Sequence, residues 1–242
     1  MKAIIKKELN AFFASQIAYL VVGVYLVING LFLWVFEGDL NILHAGFADL
    51  TSYFFIAPWI FLFLIPAITM RSFSEEKSTG TFEILKTKPI SNLQIVLGKF
   101  FASVILVLFA VAPTITYAYS IYELGNPIGN INLGSTIGSF IGLLLMASTY
   151  ISVGLFASSL TNNQIVAFII SVFICFFFFY GFEAIASFSL FGTYDDLVQK
   201  IGLTNHYNSL AKGVIDTRDL LYFITVSLFF ILLTKRNIEH EK

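Results

Sequence analysis

YFFIAPWIFLFLIPAITM (residues 53–70), RSFSEEKSTGTFEILKTKPISNLQIVLGK (71–99) and FFASVILVLFAVAPTITYAYSIY (100–122) follow one another without a break, and their contrast decides the fold. The two flanking stretches hold no Asp, Glu, Lys or Arg. The middle stretch holds Arg71, Glu75, Glu76, Lys77, Glu83, Lys86, Lys88 and Lys99. An apolar helix of roughly 20 residues crosses a bilayer. The pattern therefore predicts two membrane spans joined by a charged, structured loop. The same reading applied outward adds Ile17–Phe36, Leu133–Ala157 and Ile165–Ala186 as spans. A shorter sixth, Leu220–Thr234, reaches across only if Arg218 and Lys235 snorkel or the helix starts earlier. No small-x-small cleavage site follows Phe36, so the first span reads as retained.

Composition agrees. Hydrophobic residues make up 57% of the 242 and charged residues only 12%, against a usual ~25%. A water-soluble domain has too few charges here to cover so much apolar surface. Disordered chains are charge-rich and apolar-poor, so disorder is excluded too. The fold class is an all-α polytopic membrane protein with six transmembrane helices in a single domain over 1–242. The net charge of −1 gives no sign of a nucleic-acid partner. The lone cysteine, Cys175, lies in an apolar run and implies neither a disulfide nor a metal site.

Basic residues set the orientation. With the N-terminus inside, the inner segments hold Lys2, Lys6, Lys7, Arg71, Lys77, Lys86, Lys88, Lys99, Lys235, Arg236 and Lys242. The outer segments hold Lys200, Lys212 and Arg218. Both termini are expected in the cytoplasm.

Ahead of the first span, residues 2–16 read as an amphipathic helix lying on the lipid interface. Ile5, Leu9 and Phe12 make its apolar side, with Ile4 and Phe13 beside them. Lys2, Lys6, Lys7, Glu8 and Asn10 make its polar side. Pro58, Pro66 and Pro113 predict kinks, each freeing a carbonyl that a neighbour must satisfy. Gly134, Gly138 and Gly142, each four apart, form a stripe for close helix packing, against this chain or a second copy. The aromatic run Phe176–Tyr180 is either lipid-facing bulk or a wall along a path. Glu183 is the one ionisable residue within a predicted span and, with Phe179, is a candidate for a path or outer gate. A pairing with Lys200 is one expectation for it. The segment 187–219 is expected outside, its apolar start dipping back into the membrane. Asp195, Asp196, Asn205, Asp216 and Asp219 are expected to keep the rest wet.

The loop 71–99 is dense in helix signals. Gly80 and Glu83 form a weak cap, Pro89 stops a first short helix, and Ser91 with Gln94 forms a capping box for a second. Phe82, Ile84 and Leu85 give the short helix an apolar face, while Glu83, Lys86 and Lys88 stay polar. Exposed Phe82 and Leu85, together with acids that serve no positive-inside purpose, suit docking into a groove on a soluble protein.

The stretch Glu75-Glu76-Lys77-Ser78-Thr79-Gly80-Thr81-Phe82-Glu83-Ile84-Leu85, then Lys88-Pro89-Ile90-Ser91 and Leu97-Gly98-Lys99, resembles the cytoplasmic loop of ABC-2 type transporter permeases. The likeness runs along the whole chain, including the Ser158–Asn163 turn and Gly213-Val214-Ile215-Asp216 before the last span. In size and detail it is most similar to the gliding-motility permease subunits of Bacteroidetes. The resemblance implies a type V exporter-like architecture in a bacterial inner membrane, paired as a homodimer or heterodimer. It implies a coupling helix, with Gly80, Thr81, Phe82, Glu83, Leu85 and Lys86 docking on a separate ATP-binding subunit. Glu83 would be the central polar contact. Ser159, Thr161 and Asn162 would give a second contact, and 187–202 would hold re-entrant helices. ATP and Mg would be bound by the partner.

This chain has no G-x-x-x-x-G-K-[ST] phosphate loop: Gly98-Lys99 is followed by Phe100, and Leu93 stands where the first glycine is needed. It is expected not to be an enzyme. His44, His206 and His240 lie outside the predicted spans, which speaks against intramembrane catalysis. An ion-coupled secondary carrier would need more intramembrane charge than Glu183. That class, and a non-transporting membrane anchor or assembly protein, are the alternatives to an ATP-driven permease.

Overall fold

The computed structural model describes residues 1–44, 46–189, 192–213 and 215–240. Leu190 and Phe191 of the apolar outer segment, Val214 before the last span, and Lys242 of the inner charge set lie outside the described residues. Among the described residues every regular element is helical. The chain opens with α1 (Lys2–Ala14) and α2 (Gln16–Gly30), which ends in a π turn over Leu31–Val35. Next come α3 (Thr51–Thr69), α4 (Arg71–Ser78) and α5 (Thr81–Lys86). Helix α6 (Asn92–Val111) meets α7 (Ile115–Leu124) through a 3-10 turn at Ala112–Thr114. Helix α8 runs Leu133–Leu160, and α9 (Gln164–Phe176) joins α10 (Phe182–Ser187) through a π turn at Phe177–Gly181. Two short helices, α11 (Asp195–Gln199) and α12 (Leu203–Ala211), precede α13 (Thr217–His240).

Among the described residues six helical stretches are long and apolar enough to cross a membrane: Ala18–Val35, Thr51–Ser78, Asn92–Leu124, Leu133–Ser159, Gln164–Ser187 and Thr217–His240. They match the six predicted spans in order. The sixth helix starts earlier than its apolar core, at Thr217: α13 has 24 residues and reaches about 36 Å at ~1.5 Å per residue, with Arg218 and Lys235 flanking the apolar stretch. The second and third run on past their apolar cores, so the loop between them shortens to α5 and its turns. The Ser91 capping box forms as expected, the hydroxyl accepting from the Gln94 N–H and the Gln94 side chain accepting from the Ser91 N–H.

Helix α8 is the hub, packed by α3, α4, α6, α9, α12 and α13. Its glycine stripe meets α12 of the same chain. A Cβ on Gly138 would stand 2.3 Å from the Leu210 carbonyl oxygen, and one on Gly142 would stand 3.1 Å from Tyr207. Only hydrogen fits at Gly138. Gly134 faces looser surroundings. The re-entrant helices were expected within 187–202. The helix that buries itself lies just beyond, with Leu203, Tyr207 and Leu210 inside.

Pro58 explains part of that docking. Proline has no N–H to offer the carbonyl four residues back. The freed carbonyl is that of Phe54, and it accepts the Tyr207 hydroxyl at 2.8 Å. Deeper in the bundle, hydroxyls of Tyr25, Tyr53 and Thr114 form a buried chain with steps of 2.8 and 2.7 Å. It ties α2 and α3 to the break at Pro113.

Candidate functional site

Two regions at opposite ends of the bundle hold the residues singled out by sequence. The first is an elbow where α4 turns into α5. Gly80 makes the turn with φ +69, a left-handed backbone that glycine adopts without a Cβ penalty. Helix α5 then stands off the bundle with Glu83 exposed and Ile84 63% exposed. Thr81 and Lys86 are exposed as well, and Lys86 reaches over the Phe82 ring at 4.9 Å. Leu85 is half-buried.

Phe82 corrects the reading of an exposed docking residue. It is 4% exposed and packs edge-on to Phe73, with ring centroids 6.0 Å apart. Its bulk fastens α5 to α4, and the outward apolar residue is Ile84.

The elbow is held by a buried ion cluster. Lys99 is 1% exposed. Its ammonium donates to Glu8 at 2.9 Å and to the Ser72 carbonyl at 2.6 Å, and it forms an ion pair with Glu76 at 2.9 Å. The ammonium also lies 5.0 Å from the centroid of the Phe73 ring. Lys7 adds a bond to Glu76 at 2.5 Å. Burial works against the Lys7 charge, but its bond to Glu76 and the attraction of Glu76 and Glu8 hold its pKa above the ordinary lysine value. Two expectations change here. Glu8 belongs to the buried face of α1 with Ile4, and not to its wet side. Glu76 serves this cluster and is not a free acid awaiting a partner.

The Leu97-Gly98-Lys99 motif thereby gains a physical reason. A Cβ on Gly98 would stand 2.7 Å from the Ile4 side chain, so glycine lets α1 lie against α6. The next residue supplies the buried cation. Sequence reasoning counted Lys99 only as a topology charge. Its position between Gly98 and Phe100, inside an apolar helix, was the available signal.

The Ser158–Asn163 turn lies at the same end. Ser158 accepts from the N–H groups of Phe73 (3.0 Å) and Ser74 (3.1 Å) and donates to the Met70 carbonyl (2.8 Å). It thus caps α4 from another helix. Ser159 is buried, and its carbonyl receives Lys77 and, at 2.6 Å, Asn237 of α13. That removes Ser159 from the surface on which a second contact was expected. Thr161 is half-buried and Asn162 exposed.

The second region is a cleft of ≈ 430 Å³ at the other end, between α3, α8, α12 and the π turn after α9. Both path candidates line it: Phe179, 6% exposed, and Glu183, exposed. Trp59 meets Phe179 edge-on at 5.0 Å and Tyr180 at 6.1 Å. Thr204 of α12 donates to the Phe179 carbonyl, which anchors the π turn. Among the described residues no ion pair reaches Glu183. The expected pairing with Lys200 does not form; the Lys200 backbone carbonyl lies 2.8 Å from His206 Nε2. His206 Nδ1 lies 2.6 Å from Asp219, whose burial overturns the expectation that it stays wet. Trp59 and the α12 residues were missed by sequence. Leu203, Tyr207 and Leu210 recur at i, i+4 and i+7, which was the signal for a packed helix.

A six-span helical bundle with a protruding elbow at one end and a cleft at the other is the architecture of a transporter's membrane subunit. Residues 43–234 match the family described as ABC-2 family transporter protein, and the chain belongs to that family. It is a multi-pass membrane protein and a permease component of an ABC transporter, the part that works with an ATP-binding subunit and is not itself the ATPase. No curated protein matches the chain.

Proposed function

We propose that this chain is the membrane half of an ATP-driven exporter of a bacterial inner membrane, with α5 as the coupling helix. Both termini, α5 and the Ser158–Asn163 turn face the cytoplasm. The chain pairs with a second permease, identical or homologous. ATP and Mg reside on the partner ATP-binding subunits. The likeness in size and detail to gliding-motility permeases of Bacteroidetes supports a part in such a system.

One observation carries the reading: α5 projects Glu83 and Ile84 outward while its root is locked to α1, α4 and α6 through Lys99. A prong that is rigid at its base and apolar at its tip suits a groove on a soluble partner. Movement of the partner then passes as a rigid-body displacement into α3–α4 and α6.

The test is co-purification with a candidate ATP-binding subunit. Glu83→Ala and Ile84→Asp are expected to insert normally but to lose association or the stimulation of ATPase activity by at least about tenfold, the loss of one anchoring contact. Phe82→Asp is expected to fail differently, by freeing α5 from Phe73 and lowering thermal stability. Normal coupling in both tip variants would sink the assignment.

A further inference from the structure

The cleft between α3, α8, α12 and the π turn has a one-sided chemistry. Its volume of ≈ 430 Å³ falls among small-molecule sites, which run from about 300 to 1,000 Å³. The ionisable side chains at its wall, apart from tyrosine, are Asp49 and Glu183, and the described lining includes no Lys, Arg or His. Asp49 is occupied, accepting the Thr51 N–H at 3.0 Å at the start of α3. Glu183 is left facing the cavity without an ion pair among the described residues.

Around Glu183 the walls are aromatic. Trp59, Phe179 and Tyr180 cluster on one side, and Phe55 lies on the same helix as Trp59. Ring faces carry negative potential and attract cations, most strongly for Trp and with gains of about 0.5–2 kcal/mol. A carboxylate beside such rings rejects phosphate and carboxylate ligands. A purely neutral ligand would gain nothing from the Glu183 charge, whereas an ammonium pairs with it. Phe55 and Tyr180 are exposed, so the cavity opens along an apolar flank of the bundle.

We propose that this cleft binds the ammonium head of an amphiphile, whose alkyl chain runs out past Phe55 and Tyr180 into the bilayer. Glu183 supplies the counter-charge, and Trp59 supplies the ring against which the cation rests. As the cargo site of an exporter this rests on the permease reading. As a binding site it can be tested without it.

The chain contains two tryptophans. Trp34→Phe leaves Trp59, in the cleft, as the sole tryptophan, excited selectively over tyrosine. The full chain carrying that change is placed in phosphatidylglycerol nanodiscs and titrated with decyltrimethylammonium, decanoate or decyl maltoside. A saturable change in Trp59 emission is expected with the ammonium probe alone. Glu183→Gln should weaken it about tenfold, the loss of one charge-assisted contact, while Glu183→Asp keeps most of it. Equal responses to the three probes, or an unchanged response in Glu183→Gln, overturn the proposal. Repeating the titration in phosphatidylethanolamine discs separates the sources. Competition there assigns the site to an amine-bearing lipid headgroup, and an equal response assigns it to a free amphiphile. No ATP or partner is present in these experiments. Binding without co-purification of an ATP-binding subunit would refute the permease coupling and leave the site standing, and the reverse would refute the site alone.

Discussion

Lys99 pairs with two carboxylates, donates to Glu8 and to the Ser72 carbonyl, and has almost no contact with water. A buried ion cluster of this kind gains little over an apolar one, yet breaking it by removing one member leaves charge without compensation. Lys99→Met is therefore expected to cost about 3–5 kcal/mol, read as a lowered thermal midpoint in detergent. The triple change Glu8→Gln, Glu76→Gln and Lys99→Met should recover much of that loss. A midpoint that falls further in the triple variant would show that the carboxylates do not depend on Lys99. At this scale the sequence was legible where chemistry is local. Ser91 and Gln94 announce their cap because both partners lie within one turn. Glu8 and Glu76 were illegible because their partner is far along the chain. Phe82 was misread for a related reason. A helix of six residues has too few positions to reveal which side faces inward, and only its packing on Phe73 decides it.

Helix α12 shows how an element is held when its sequence looks wet. Asn205, His206 and Asn208 hide an apolar row, and the row docks because α8 offers hydrogens where other helices offer side chains. Its second anchor is the Tyr207 bond to the carbonyl that Pro58 frees. Gly138→Ala should push α12 from its seat, and Tyr207→Phe should leave a buried carbonyl without a donor. Each is expected to cost about 1–3 kcal/mol. Hydrogen exchange should report faster opening over 203–211, with the α8 amides of 146–155 unchanged. Uniform loss of protection across both helices would mean that α12 is not a separately docked element. The proline and the glycine stripe were both visible beforehand. What joins them, a helix two hundred residues into the chain, could be identified only once α12 was seen beside both.

The whole molecule sorts its scarce charges by end. Lys2, Lys6, Lys7, Arg71, Lys77, Lys86, Lys88, Lys99, Lys235 and Arg236 lie toward the end that carries α1, the elbow and the close of α13, and Lys200, Lys212 and Arg218 toward the cleft. Basic residues stay on the cytoplasmic side of a membrane. In a Cys175→Ala background, a cysteine at Lys88 should resist an impermeant thiol reagent in intact cells, and one at Lys200 should react. The native thiol adds little background of its own, being buried. Labelling at Lys88 would invert the orientation and with it the side from which any partner docks. Five spans were legible at this scale because each has enough apolar length by itself, and the sixth because its charges flank a shorter apolar stretch. Their order around α8 was not, because the hub is chosen by shape.

Ser158 also makes the bundle a lever. Its hydroxyl grips the junction of α3 and α4, so under the proposed coupling it would serve as a fulcrum between two arms of unequal length. The short arm is α4 with α5. The long arm is α3, 19 residues with Pro58 and Pro66 inside, whose far end carries the wall bearing Trp59 and Phe55. At ~1.5 Å per residue it is about 28 Å long, so a tilt of roughly 5° swings its far end by about 2.5 Å. Under the proposed coupling, a small push at the elbow would thereby be geared up into a larger displacement at the mouth of the cleft.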